Sequence, residues 1–209
     1  NHIASKQEKA QDDSKKNPKK ETSKEDTMQD EEDENYDDDS DESIGSAISY
    51  HDKRTYPNGE TYDGEMRNGQ KNGHGVYKFA DGRVYDGEWK SNKQCGQGKM
   101  TWSNGDKYEG NWNNGVRDGY GEFQYANGKK YVGNFKNNKF NGSGTLYYAN
   151  SEAFESYSGN WSDGKKNGHG VMKWRNGSRY DGSWSNDNRH GQGVYTWENG
   201  ERYVGEFTN

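Results

Sequence analysis

From about Tyr56 onward, large apolar and polar side chains alternate with a period of two. In Tyr85-Asp86-Gly87-Glu88-Trp89, Tyr, Gly and Trp take every second position and carboxylates lie between them. An extended strand points successive side chains to opposite faces, so the segment predicts a strand with a ring-and-glycine face and a charged face. Gly96-Gln97-Gly98-Lys99-Met100-Thr101-Trp102 follows the same rule and predicts a second strand that places both glycines, Met100 and Trp102 together. Glycine among large rings has a steric logic: a residue without Cβ lets a ring from the next strand lie flat against backbone. No helical period appears.

The two-strand unit recurs. Tyr62-x-Gly64-x-Met66, Tyr85-x-Gly87-x-Trp89, Tyr108-x-Gly110-x-Trp112 and Tyr131-x-Gly133-x-Phe135 are each 23 residues apart. Tyr157-x-Gly159-x-Trp161 follows after 26, and Tyr180-x-Gly182-x-Trp184 and Tyr203-x-Gly205-x-Phe207 return to 23. Eleven residues after each of the first six tyrosines stands a Gly-x-Gly pair, from Gly73/Gly75 to Gly191/Gly193. Successive units join through Pro57-Asn58-Gly59, Ala80-Asp81-Gly82, Ser103-Asn104-Gly105, Ala126-Asn127-Gly128, Arg175-Asn176-Gly177 and Glu198-Asn199-Gly200. Asn-Gly and Asp-Gly between alternating strands predict type I′ hairpins, because both residues tolerate positive φ. The link inside a unit, as from Trp89 to Gly96, reads as longer and carries Gly69, Gly115 or Gly164, or else Asn92, Asn138 or Asp187. The fourth unit lacks the Asn-Gly turn and has three extra residues within Tyr148 to Ser156, which predicts a bulged or longer loop.

Every connection is therefore a hairpin. The predicted fold is all-β, an elongated single-layer antiparallel meander of stacked hairpins with a disordered N-terminal tail. About 13 strands at roughly 4.8 Å spacing would span about 60 Å. The boundaries read as a charged tail over 1–50 and a repeat array over 51–209, with a half repeat at 51–61, six repeats at 62–202 and a partial seventh at 203–209. Tyr-x-Gly-x-Trp, Gly-x-Gly and Asn-Gly at this period closely resemble the MORN (membrane occupation and recognition nexus) repeat family, over about residues 54–209. The resemblance implies a twisted one-layer antiparallel sheet whose aromatic and glycine face lines a groove.

Composition agrees with an aromatic array. Hydrophobic residues are 25% and aromatics 14% of the 209 residues, with 29 Gly and 2 Pro, so Leu- and Ile-packed bundles and doubly wound sheets are excluded. No stretch approaches the roughly 20 apolar residues of a membrane-spanning helix. The lone Cys95 excludes an internal disulfide and fits a reducing compartment. The first residue is Asn rather than Met, which predicts a fragment or processed product.

Charge is unevenly placed. Residues 1–50 carry 7 Lys/Arg against 16 Asp/Glu, a net of −9, whereas residues 51–209 carry 22 against 19, a net of +3. So few apolar residues cannot offset roughly 1–2 kcal/mol per residue of ordering entropy, so the tail reads as disordered. Its acidic block runs from Glu25 to Glu42; Ser40 and Ser43 lie among carboxylates, a context that acid-directed serine kinases prefer, beside the plainer reading of a solvated tail. Calcium capture by Asp37 to Glu42 lacks a Gly-bent ligand loop. An acidic tail on a near-neutral body argues against nucleic acid as a partner.

Catalytic and metal chemistry find little footing. His74, His169 and His190 recur beside Gly-x-Gly, but repeat spacing holds them about 10 Å or more apart. Gly73-x-Gly75 lacks the third Gly, the helix and the Lys-Ser/Thr of a nucleotide loop, and Cys95 has no base beside it. No catalytic residue, metal or cofactor is expected. The candidate site is instead a partner-binding groove lined by Tyr62, Tyr85, Trp89, Trp102, Tyr108, Trp112, Tyr131, Tyr157, Trp161, Trp174, Tyr180, Trp184 and Trp197, with Tyr203 extending the stripe. The plainer reading makes the same rings the only core of the sheet. On the groove reading, Trp89→Ala and Trp112→Ala weaken partner capture more than they unfold the sheet.

Three functions compete. The first is a structural scaffold binding extended or helical segments of other proteins. The resemblance extends to radial-spoke-head proteins of motile cilia, implying a cytoplasmic, cytoskeletal and axonemal setting. An unpaired sheet edge near Tyr203 to Phe207 offers β-pairing to a partner. The second is anionic phospholipid binding, as the family name suggests, against which stand the net +3 and the lack of a basic cluster. The third is the non-catalytic MORN region of a lipid kinase or lysine methyltransferase, should a domain follow Asn209.

Overall fold

The computed structural model describes residues 48–149 and 153–208. The acidic block, Ser40 and Ser43 lie outside the described residues. A 14-stranded antiparallel sheet in strict chain order fills the described chain. Its strands are β1 (Ser49–Thr55), β2 (Thr61–Arg67), β3 (Gln70–Lys78), β4 (Val84–Lys90), β5 (Lys93–Thr101), β6 (Lys107–Asn113) and β7 (Val116–Gln124). They continue as β8 (Lys130–Lys136), β9 (Lys139–Tyr147), β10 (Phe154–Ser162), β11 (Lys165–Trp174), β12 (Arg179–Ser185), β13 (Asn188–Thr196) and β14 (Arg202–Phe207). The predicted open meander is present, without a helix among the described residues. The front half repeat is a full strand, since β1 pairs along its whole length with β2, from Ser49 opposite Arg67 to Thr55 opposite Thr61.

The two turn classes are the reverse of the sequence expectation. Type I′ geometry lies inside the repeats, where both central residues have positive φ: Asn68 (50°) and Gly69 (74°), Ser91 (48°) and Asn92 (67°), Asn137 (48°) and Asn138 (69°). The link expected to be longer is thus the two-residue hairpin whose twist suits the strands. Between repeats only the glycine is left-handed, as at Gly59 (83°). There the Gly59 N–H donates to the Tyr56 carbonyl at 2.9 Å and the Tyr56 N–H to the Glu60 carbonyl at 2.8 Å, a type I turn closed by a glycine bulge. The Asn or Asp before each such glycine has a separate reason. Its side-chain oxygen accepts the N–H two residues on, as Asn104 does from Asp106 at 3.0 Å and Asn127 from Lys129 at 3.0 Å.

Within the repeats, Asn or Asp replaces Gly in the I′ turn where it gains a bond. Asn92, Asn138 and Asp187 accept the backbone N–H of Lys71, Arg117 and Lys166 in the preceding repeat, each at 2.9 Å. Their own N–H groups return to the carbonyls of the same three residues at 3.0 Å. Each such turn is stapled to its neighbour by two bonds, so order passes from repeat to repeat. In the fourth repeat, the Tyr148 N–H donates to the Glu155 carbonyl at 3.0 Å and the β10–β11 register shifts between Phe154 and Ser156.

The core lies on the ring face. Tyr62, Tyr85, Tyr108, Tyr131, Tyr157 and Tyr180 are fully buried. Each ring crosses the second glycine of the Gly-x-Gly pair, so that a Cβ on Gly98 would lie 2.5 Å from Tyr85 Cζ. The first glycine differs from expectation. Gly96 (φ 54°) sits at the register shift of β4 and β5, and a Cβ there would meet the Glu88 carboxylate on the polar face, not a ring. A bulge turns the backbone locally, which a strict period-two count cannot foresee.

Candidate functional site

The site is built on the ring face from one repeat upward. The Tyr85 hydroxyl, having crossed Gly98, donates to the Glu88 carbonyl at 3.0 Å, and the Tyr108 hydroxyl to the Asn111 carbonyl at 2.9 Å. The Trp89 and Trp112 indole N–H groups donate to the carbonyls of Gly75 and Gly98, one repeat back, at 2.9 and 3.0 Å. Trp112 therefore covers Tyr85 edge-on at 5.3 Å while packing against its own Tyr108 at 5.3 Å. Burial leaves the neutral phenols favoured: Tyr62 and Tyr108 are pushed up to about 12, Tyr62 with added repulsion from Glu65.

This geometry divides the predicted groove residues. Tyr62, Tyr85, Trp89, Tyr108, Trp112, Tyr131, Tyr157, Trp161, Tyr180 and Trp184 are all within 6% of complete burial. They fill the interior of the ring side and leave almost no exposed surface. Trp89 and Trp112, 5% and 6% exposed, are placed as core rings, where the sequence reading expected a partner surface. Trp102 and Trp174 are partly buried against the core, and Trp197 is 44% exposed. These three occupy one repeat position, directly before the type I turn.

Sequence reasoning missed the other members of that row. Tyr56, Phe79, Tyr125 and Tyr148 stand at the same 23-residue step and are likewise partly buried. The rim rings lean on an inner row: Phe79 on Tyr77 at 4.7 Å, Trp102 on Phe123 at 5.3 Å, and Trp174 on Tyr195 at 5.4 Å. The spacing alone would have revealed them, but a mixture of Tyr, Phe and Trp hides a row that identity matching reads as three tryptophans.

A second overlooked row opens the second strand of each repeat: Lys71, Gln94, Arg117, Phe140, Lys166 and Arg189. Lys71 lies opposite Met66, Gln94 opposite Trp89 and Arg117 opposite Trp112, all on the ring face. The Lys71 ammonium stands 4.0 Å from the Tyr77 ring centre and 4.7 Å from Trp89. The Arg117 guanidinium lies 4.9 Å from Phe123 and also donates to the Asn138 carbonyl at 3.0 Å.

The opposite, polar face holds wider hollows. One of ≈ 580 Å³ is lined by Lys99, Glu109, Tyr120, Glu122 and Val132, and one of ≈ 490 Å³ by Tyr120, Val132, Asn160 and His169. The ring face has a hollow of ≈ 400 Å³ bounded by Arg189, Tyr195, Trp197, Tyr203 and Phe207. The ring-face groove implied by the resemblance is thus largely filled by its own rings. His74 and His169 face Asp86 and Asp181 at 3.0 and 3.1 Å on the polar side, and His190 is exposed. No group of three His, Cys, Asp or Glu able to hold a metal occurs among the described residues. Burial, then the Glu88 carboxylate, pushes the Cys95 thiol up, which disfavours the reactive thiolate.

Comparison with known proteins returns the repeat. The MORN repeat family matches residues 62–82, 85–107, 108–130, 131–152, 157–179 and 180–202. No curated protein matches the chain. Among solved structures, the TCP domain of Drosophila melanogaster SAS-4 in complex with a proline-rich motif of Ana2 is 12% identical, with 75% of this chain and 90% of that one covered and a TM-score of 0.31. The TCP10c domain of Drosophila melanogaster Sas-4 is also 12% identical, with coverage of 76% and 100% and a TM-score of 0.29. TM-scores this low bear on neither the fold nor the partners of this chain.

Proposed function

Because the chain belongs to the MORN repeat family, whose members serve as scaffold, interaction or membrane-binding modules, we propose that it is a non-catalytic scaffold holding extended or helical segments of other proteins. Its setting in this reading is cytoplasmic and cytoskeletal, and more narrowly axonemal. The observation that carries the reading is the rim row, in which an aromatic ring from each repeat is partly exposed beside the buried core. One ring recurs every two strands, about 9.6 Å along the sheet, so contacts add along a ruler rather than converge on a point. Rigid aromatic side chains lose little entropy on binding and dominate interface energetics.

The test compares rim with core. Trp102→Ala with Trp174→Ala is expected to abolish pulldown of partner proteins while lowering the melting temperature less than Trp112→Ala does. Trp112→Ala is expected to lower both. Partner capture that survives loss of the rim rings refutes the reading.

A further inference from the structure

The two faces of the sheet treat charge differently. On the polar face, carboxylates meet cations: Lys53 and Asp63 at 3.0 Å, Lys99 and Glu109 at 3.8 Å, Lys130 and Glu122 at 3.4 Å, Arg179 and Asp181 at 2.6 Å. On the ring face, Lys71, Arg117, Lys166 and Arg189 form no ion pair with any carboxylate of the described residues. The carboxylates electrostatically nearest are already engaged. Glu60 accepts the Tyr77 hydroxyl at 2.6 Å and Asp187 the Lys166 backbone N–H at 2.9 Å.

Lys71, Arg117 and Lys166 are partly buried among rings, and Arg189 is exposed at the end of the row. The Lys166 ammonium lies 4.9 Å from Trp184 and 5.6 Å from Tyr157, and the Arg189 guanidinium 5.5 Å from Tyr195. Lys129, over Tyr125 at 5.2 Å and Tyr148 at 5.6 Å, adds a further positive charge that acts on Lys166. Burial holds Lys71, Lys166 and Arg117 below their ordinary pKa values, an effect that Glu60 partly offsets at Lys71 and Asp187 at Lys166, where Lys129 adds a smaller lowering. In the same row, the Gln94 amide nitrogen is buried without a hydrogen-bond partner. A line of half-desolvated cations and one orphan donor is complementary to carboxylates and backbone carbonyls.

We propose that the ring face is a docking track for an extended acidic peptide segment of a partner protein, with its carboxylates on Lys71, Arg117, Lys129, Lys166 and Arg189 and its chain along the rim aromatics. This deepens, and rests on, the scaffold reading. The step sizes agree for a peptide in the polyproline II form: two strands of the sheet advance about 9.6 Å, and one three-residue turn of such a peptide advances about 9.3 Å and returns every third side chain to the same edge. Every third side chain therefore meets each successive repeat, reaching a cation at Lys71, Arg117, Lys166 and Arg189 and the neutral Gln94 and Phe140 in the second and fourth repeats. A bilayer is the poorer occupant, since anionic lipid attracts clusters of lysines that project freely, whereas these charges form a single file in which Lys71, Arg117, Lys129 and Lys166 are partly buried.

The experiment is titration of the full chain with a fluorescent peptide carrying Glu at every third position, with Glu→Gln and every-second-position versions beside it. Vesicles containing anionic phospholipid form a separate arm. The Glu peptide is expected to bind in a salt-sensitive manner, with Arg117→Gln and Lys166→Gln together weakening it about tenfold or more and Lys166→Arg retaining it. Should those variants fail to fold by circular dichroism, Lys129→Gln, at a turn, carries the same test. Equal binding of Glu and Gln peptides overturns the proposal; if Trp102→Ala with Trp174→Ala then abolishes both, the scaffold reading stands without acidic specificity. Equal binding of every-second and every-third peptides refutes the register argument. Pelleting with vesicles and no peptide binding replaces the peptide with a membrane surface.

Discussion

Alanine at the two glycines of one Gly-x-Gly pair separates a ring contact from a backbone requirement. At Gly98, an added Cβ would lie 2.5 Å from Cζ and 2.6 Å from Cε2 of Tyr85. Carbon atoms rest about 3.5–4.0 Å apart, so the ring must shift by about 1 Å or more. It has nowhere to go, wedged edge-on between Trp89 at 5.1 Å and Trp112 at 5.3 Å with no exposed surface. Overpacking costs about 1–3 kcal/mol, the hydroxyl bond to Glu88 about 1, and each disturbed aromatic pair about 0.5–1.5. Gly98→Ala is therefore expected to lose about 3–7 kcal/mol. Gly96→Ala keeps the core intact and meets only the flexible Glu88 side chain, so its cost is the left-handed conformation, about 1–2 kcal/mol. Gly96→Asn should recover most of that, because Asn tolerates positive φ. Urea unfolding followed by tryptophan fluorescence and circular dichroism, compared at the first transition because repeats can unfold in stages, reads the order. Gly96→Ala as damaging as Gly98→Ala, or Gly98→Ala within about 1 kcal/mol of the parent, would refute the assignment of the ring contact to the second glycine alone.

Three further outcomes follow from the same geometry. Trp112→Ala removes a buried ring and its bond to Gly98 and should cost about 3–5 kcal/mol, whereas Trp197→Ala, 44% exposed, should cost far less; equal melting temperatures would contradict the core and rim division. Raised phenol pKa values make the tyrosine contribution to stability complete below pH 10 and lost as pH rises from 10 to about 12 and above, so sheet and phenolate signals should change together there, and smooth ionisation near pH 10 with the sheet intact would refute it. Asn138→Gly keeps the left-handed turn but removes the acceptor for the Arg117 N–H; a loss of about 1 kcal/mol is expected in urea unfolding, and none would mean that the staple contributes nothing.

Some of this was legible in residue order. Period-two alternation in Tyr85 to Trp89 assigned the ring face, because in a strand parity alone decides the side. The 23-residue step with Asn-Gly and Asp-Gly markers located the hairpins between repeats. Turn chemistry was misjudged because Asn serves two purposes: positive φ at Asn92 and Asn138, and side-chain acceptance of a later N–H at Asn104 and Asn127. The cation row kept both step and parity, yet Lys71, Gln94, Arg117, Phe140, Lys166 and Arg189 share no side-chain chemistry that a motif could carry.

By itself, then, the order of residues determined the strand faces, the repeat length and the hairpin-by-hairpin growth of the sheet, since these depend on backbone geometry within a few residues. Only the tertiary structure decided which rings are core and which are surface. Tyr85 is closed off by Trp112 from the following repeat and Trp112 is anchored on Gly98 of the preceding one. Burial here is a property of neighbouring repeats in contact, and no single repeat contains it.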